Sequence, residues 1–108
     1  MKYSILQHGA PAVVTNVGDG WEHRETKRSV VAFHGPCRVE APREDFFACD
    51  ESEPYVGPVI ESPTWGRLFR EAKAQQKKTR DWHHDFFEGA RVVQTVGGVK
   101  VIELFLGS

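Results

Sequence analysis

The clearest alternation of apolar and polar residues lies in the last quarter of the chain, which reads WHHDFFEGARVVQTVGGVKVIELFLGS from residue 82 to 108. Near its middle stands Gly97-Gly98, and a two-residue type I′ turn needs positive φ at both central positions. The pattern therefore predicts a C-terminal β-hairpin over about residues 90–106. With a tight turn, the numbers of facing residues sum to a constant, so Val92 is expected opposite Glu103.

Both faces of this predicted hairpin carry more apolar residues than a sheet with one solvated face would show. The helix can cover one face, and three alternatives remain for the other: a second copy of the chain, the 43–62 segment folded over the sheet, or a cavity that holds a ligand. A second copy is favoured because a sheet face can be self-complementary about a two-fold axis. Alternation sorts the apolar residues into Val93, Ile102, Leu104 and Leu106 on one face, and Ala90, Val92, Val96, Val99, Val101 and Phe105 on the other.

One amphipathic helix is predicted over about residues 63–79. Ser62 is the expected N-cap, and Pro63 suits the first helical position, where a missing N–H costs nothing. Apolar residues then recur at i, i+3, i+4 and i+7, which makes one stripe along the helix. These residues are Trp65, Leu68, Phe69 and Ala72.

Short strands are predicted before the helix, over residues 3–6, 12–17, 29–34 and 37–41. The 29–34 stretch, SVVAFH, is apolar and β-branched enough for a buried strand that Gly35-Pro36 would stop. Residues 43–62 show no sustained period, although Phe46, Phe47 and Tyr55 could anchor them to a surface. The expected architecture is a single α+β domain over residues 1–108, with a largely antiparallel sheet, the helix and the hairpin.

The composition limits the possible binding partners more than it limits the possible functions. The chain has 108 residues, 40% hydrophobic and 27% charged, with a formal net charge of −1. That balance predicts a soluble globular protein and offers no electrostatic reason to bind nucleic acid. No run approaches the roughly 20 apolar residues of a membrane helix, so no membrane partner is expected. Cys37 and Cys49 lack the paired spacing of a zinc site and are interpreted as reduced thiols in a cytoplasmic protein.

Candidate chemistry lies where titratable residues interrupt the apolar surface. If the strand continues back from Ala90, alternating residues reach Trp82 on the face of Glu103, although Gly89 could mark a bulge that changes the parity. A carboxylate on that face would be desolvated, and a histidine beside it would give the pocket a pair suited to general acid–base catalysis. The candidate pocket comprises Trp82, His84, Phe86, Glu88, Gln94, Glu103 and Phe105.

These residues also allow interpretations other than a pocket. Glu103 is favoured as a structural carboxylate paired with an Arg or Lys, so that Glu103→Gln is expected to destabilise the fold. A metal site from His84 and Glu88 with a distant His8, His23 or His34 has no recognised spacing, and no metal or cofactor is expected.

The predicted function is accordingly general. The sequence favours a non-catalytic binding or interaction module that acts as a homo-oligomer. The alternative is a small-molecule-binding protein or acid–base enzyme that uses His84 with Glu103 or Glu88 in an aromatic-walled pocket.

Overall fold

The computed structural model describes residues 1–5, 15–17, 20–22, 26–43 and 51–108. Within these ranges the chain forms one helix and eight strands. In chain order they are β1 (Lys2–Tyr3), β2 (Thr15–Val17), β3 (Gly20–Glu22), β4 (Pro36–Ala41), β5 (Tyr55–Val56), β6 (Ile60–Glu61), α1 (Trp65–Thr79), β7 (Phe86–Val96) and β8 (Val99–Gly107).

The main sheet is mixed, which confirms the α+β class and corrects the largely antiparallel sheet expected from the sequence. Its strand order is β1-β7-β8-β4-β5, with β6 also paired to β4. The β7–β8 hairpin is antiparallel, as are both short strands against β4, but β4 runs parallel to β8 and β1 runs parallel to β7. The parallel β4–β8 pair is feasible because α1 lies between these strands in the chain and supplies a long connection.

The predicted hairpin turn is confirmed. Gly97 and Gly98 have φ of 57° and 79°, and Val96 pairs with Val99 across the turn. Both glycines are needed because a side chain at positive φ is strained.

The register beyond the turn differs from the predicted constant sum. The ladder shifts between Val92 and Gln94 and again between Phe87 and Gly89, so Glu103 faces Arg91 and the expected Val92–Glu103 pair is wrong. Each shift places one extra residue in β7, which is the geometry of a β-bulge. Because side chains alternate with a period of two, the first bulge exchanges the faces of the residues between the two bulges, and the second bulge reverses this exchange.

The strand predicted over residues 3–6 is shorter in the structure: β1 covers Lys2–Tyr3, and residues 4 and 5 are described but are not in a strand. β2 covers Thr15–Val17 of the strand predicted over 12–17, while predicted strand residues 6 and 12–14 lie outside the described ranges. β4 confirms the predicted strand at 37–41. β3, which pairs antiparallel with β2, was not predicted as a strand.

Helix α1 begins later than predicted, with Thr64 rather than Ser62 as its N-cap. Thr64 has extended backbone angles, and its Oγ1 accepts a hydrogen bond from Arg67 N at 3.1 Å. Ser62 has φ of 44°, outside the extended region typical of an N-cap, and its Oγ accepts from Gly35 N at 2.9 Å. The hydroxyl of Ser62 therefore joins two loops instead of starting the helix.

The predicted strand over 29–34 is also wrong: this segment caps α1. Apart from an isolated bridge at Val31, it contains bends and turns. Val30 O accepts from Trp65 N at 3.0 Å, and Arg28 O, just before the segment, accepts from Gly66 N at 2.9 Å. The first N–H groups of a helix have no partner within it, so these carbonyls satisfy two of them. The capping of α1 therefore outweighs the strand propensity of the β-branched residues in this segment.

The other end of α1 is capped by the segment before β5. Ser52 Oγ donates to Thr79 O at 2.7 Å, and Glu53 N donates to Lys78 O at 3.1 Å. Arg80 then adopts a left-handed conformation that ends the helix. Part of the 43–62 segment thus serves α1, whereas Phe46 and Phe47 lie outside the described residues.

The core lies between α1 and one face of the sheet. The predicted apolar stripe is confirmed, because Leu68, Phe69 and Ala72 are buried and Trp65 packs at their edge. Phe69 stacks on Phe87 with ring centroids 6.0 Å apart. The buried residues of this core are Tyr3, Ile5, Cys37, Val39, Leu68, Phe69, Ala72, Phe87, Ile102 and Leu104.

We expect Ile102→Ala to lower the free energy of unfolding by about 2–5 kcal/mol, because it leaves a cavity in a fully buried position of the central strand. Val59→Ala is the control, since Val59 is more than half exposed and should change stability by about 0.5 kcal/mol or less. Urea denaturation measures both, and equal losses would contradict the placement of the core.

Candidate functional site

A cavity opens where β4 and β8 part, and we call it the split cavity. The two strands pair in parallel only as far as Val39 and Ile102, after which Glu40 and Ala41 pair with β5 instead. The space between the diverging strands has a volume of about 680 Å³, within the usual range for small-molecule sites. Its described lining is Glu40, Ala41, Pro42, Arg43, Pro54, Tyr55, Val56, Gln75, Thr79, Asp81, Val93, Gln94, Val101, Glu103 and Leu104.

The last turn of α1 supplies polar groups to this cavity. Gln75 is only 7% exposed, and its Oε1 is buried without a hydrogen-bond partner. The nearby Thr79 hydroxyl cannot serve it, since it donates to the backbone carbonyl of Gln75 at 2.9 Å. An unsatisfied buried acceptor costs about 1–3 kcal/mol, so Gln75 is an unusual residue to find in this wall.

Acidic side chains dominate the charged part of the lining. Glu40, Asp81 and Glu103 contribute carboxylates, and Arg43 is the cation among the described lining residues. Each carboxylate has a basic neighbour outside the lining: Arg38 Nε is 3.8 Å from Glu40, His84 Nδ1 is 2.8 Å from Asp81, and Arg91 Nη2 is 3.3 Å from Glu103. The cavity therefore presents more negative than positive groups to anything inside it.

Tyr55 joins the cavity wall to a buried carboxylate beneath it. Its hydroxyl donates to Glu71 Oε2 at 3.0 Å, and Arg67 Nη1 donates to the same oxygen at 3.1 Å. Burial, and then the charge of Glu71, raise the pKa of Tyr55 to about 12. Both factors disfavour the phenolate, so Tyr55 is a hydrogen-bond donor at neutral pH.

The sheet face opposite α1 holds five of the seven predicted site residues. Pairing places Gln94 on the face of Val101, and Phe86 returns to this face because the second bulge reverses the effect of the first. The Glu88 carboxylate occupies the space over Gly107, on the same face. The five residues are Phe86, Glu88, Gln94, Glu103 and Phe105.

The seven predicted site residues do not all line one cavity. Gln94 and Glu103 are in the described lining of the split cavity, whereas Trp82 and His84 precede β7, which begins at Phe86. The strand therefore does not extend back to Trp82, and alternation does not apply to that residue. Trp82 is an exposed side chain, 59% accessible.

His84 does not pair with Glu103 or Glu88 as the acid–base alternative expected, whereas Glu103 has an Arg partner, as the favoured interpretation expected, although the pair is exposed. His84 Nδ1 contacts Asp81 Oδ2, while Glu103 contacts Arg91, which the first bulge moved to its face. Asp81 was missed by the sequence reasoning, although its i, i+3 spacing to His84 after a helix end could have indicated the pair. Gln75 was missed because nothing in a sequence marks an unsatisfied amide.

Within the described ranges, no group of three or more His, Cys, Asp or Glu side chains is arranged to hold a metal ion. No helix there has the length and apolar character needed to cross a membrane. Comparison with protein-family models, curated proteins and solved structures found no match to this chain.

We expect Glu103→Gln to lower the free energy of unfolding by less than about 1 kcal/mol, reversing the expectation of a buried pair. The Arg91 and Glu103 side chains are 61% and 45% exposed, and exposed ion pairs contribute little. Glu71→Gln is the contrasting variant and should cost about 1–3 kcal/mol, because it removes the charge of a buried carboxylate that accepts part-buried hydrogen bonds from Tyr55 and Arg67. Chemical denaturation compares them, and a larger loss for Glu103→Gln would refute this placement.

We expect one of the two tyrosines to ionise near pH 12 in a phenolate absorbance titration, and this step to vanish in Tyr55→Phe. The sign for stability follows from the raised pKa: the contribution of neutral Tyr55 is fully present below pH 10 and is lost between about pH 10 and 12. The stability advantage of wild type over Tyr55→Phe should therefore shrink across that interval. An unchanged titration curve in Tyr55→Phe would contradict the assignment of this ionisation to Tyr55.

Proposed function

We propose that this protein is a non-catalytic interaction module that acts as a homo-oligomer, with the outer part of the β7–β8 hairpin as its contact surface. The observation that carries the proposal is the exposure of β7 from Arg91 to Val96, continuing through the turn. Within the hairpin, Val92, Val93, Val96 and Phe105 are 39%, 45%, 51% and 41% exposed.

Single exposed valines are ordinary, but several on one projecting hairpin favour a contact surface. Each buried Å² of apolar area contributes about 25 cal/mol, so covering these side chains offers a driving force for association. The first bulge directs Val92 towards the core face and leaves Val96 on the opposite face. A partner that covers both residues would therefore contact both faces of the hairpin.

A second copy of the chain is the partner we propose. Homo-oligomers commonly have two-fold symmetry, in which one apolar patch meets its own equivalent. A hairpin that projects from the sheet can cross its twin with both tips buried. The formal charge of −1 adds little repulsion between copies.

The acid–base alternative has weaker support. His84 pairs with Asp81 rather than with Glu88 or Glu103, and Glu103 is engaged by Arg91. Burial raises the pKa of the Cys37 thiol, which disfavours the thiolate that nucleophilic chemistry needs.

We expect light scattering on the purified chain to give a mass of at least twice the 12.2 kDa of one chain at micromolar concentration. Val96→Lys should lower that mass to one chain, because a lysine cannot be buried in the apolar contact without a partner. Val59→Lys makes the same change at an exposed valine away from the hairpin and should leave the mass unchanged.

A single-chain mass for the wild type at high micromolar concentration would overturn the proposal. An oligomer that survives Val96→Lys but dissociates in Val59→Lys would overturn the assigned surface. Circular dichroism of both variants shows that the fold is retained, which is expected because both positions are exposed.

A further inference from the structure

We propose that the split cavity binds a small aliphatic ammonium compound, with the Gln75 amide and the Asp81 and Glu103 carboxylates as its acceptors. Val93 and Gln94 belong both to the lining of this cavity and to the exposed run of β7, whereas the acceptors Gln75, Asp81 and Glu103 lie outside that run. The described lining has three carboxylates against one guanidinium, so a cation is favoured over an anion.

The unpartnered oxygen of Gln75 calls for a hydrogen-bond donor. Gln75 lies in the wall of the cavity, and its buried Oε1 accepts from no group of the protein. The terminal torsion of a glutamine is broad, so the amide can rotate to present this oxygen to a donor in the cavity. An ammonium group has three donors and no acceptor, which matches a wall made of oxygens.

The remaining carboxylates can share such a ligand with their present partners. Glu103 and Arg91 are both about half exposed, and the guanidinium lies outside the described lining. Asp81 uses Oδ2 for His84 Nδ1, while its Oδ1 is 3.4 Å from His84 N, a long and weak contact. Each carboxylate therefore retains acceptor capacity, since an ionised carboxylate has about four lone-pair sites.

The apolar part of the wall suits the methylene chain of an amine. Val101 and Leu104 are buried residues of β8 that line the cavity beside the polar groups. Apolar walls with a few convergent polar groups are the usual composition of a small-molecule site. An aliphatic amine places its chain on these residues and its ammonium on the oxygens.

The test is calorimetric titration of the full chain with 1,5-diaminopentane, with glutarate at equal ionic strength as the control of opposite charge. Saturable binding of the diamine without binding of glutarate is expected. N-acetyl-lysine amide distinguishes the source of the ammonium: tighter diamine binding indicates a free amine, and tighter binding of the lysine compound indicates a protein-borne side chain. Equal or tighter binding of glutarate, or no binding of either amine at millimolar concentration, overturns the proposal.

Two variants test the assigned acceptors. Glu103→Gln should weaken diamine binding about tenfold, whereas Glu88→Gln, an exposed carboxylate of the same sheet face outside the described lining, should leave it unchanged. Equal effects of the two variants would refute the assignment of Glu103.

Gln75→Leu separates a binding role from a structural one. Removing an acceptor that has no partner should keep or raise the melting temperature, because no hydrogen bond of that oxygen is lost. The same variant should weaken the diamine about tenfold. A lower melting temperature with unchanged diamine affinity would show that Gln75 is structural and overturn its role here.

Discussion

The burial of the α1 stripe against one face of the main sheet is the contact on which the rest of the structure depends. Leu68, Phe69 and Ala72 meet the face that carries Ile102 and Leu104, and these five side chains make half of the buried core. A helix of 15 residues is about 22 Å long, whereas an 11-residue strand spans about 36 Å. One helix therefore cannot cover the whole hairpin, and the outer part of β7 is left exposed.

Both ends of α1 are held by chain segments that would otherwise be loops. Val30 and Arg28 carbonyls satisfy its first N–H groups, and Ser52 with Glu53 satisfies its last carbonyls. This capping draws the segment before β5 against the end of the helix. The split cavity lies at that end, beyond the Val39–Ile102 pair at which the ladder between β4 and β8 stops.

The bulge at the Val92–Gln94 step decides which chemistry faces the cavity. It brings Arg91 to the face of Glu103 and moves Val92 towards the core. Without it, Glu103 would lie opposite an apolar side chain on a more apolar face. The resulting Arg91–Glu103 pair is exposed, so it shapes the electrostatics of this surface more than the stability of the fold.

The sequence alone determined the elements that depend on local pattern. The glycine turn, the strand at 37–41 and the apolar stripe of α1 follow from periodicity and from the backbone freedom of Gly97 and Gly98, and all are present in the structure. Five of the seven proposed site residues also share one face, because two bulges restore the parity that one would reverse.

Tertiary structure decided what depends on distant partners. The SVVAFH segment has strand composition, yet its Val30 carbonyl accepts from Trp65 N in the first turn of α1, far along the chain. Nothing local distinguishes a parallel from an antiparallel neighbour for β4, and nothing local predicts where it parts from β8. The unsatisfied Gln75 and the cavity that it lines arise only when the helix end meets that split, because each is defined by what lies beside it in space.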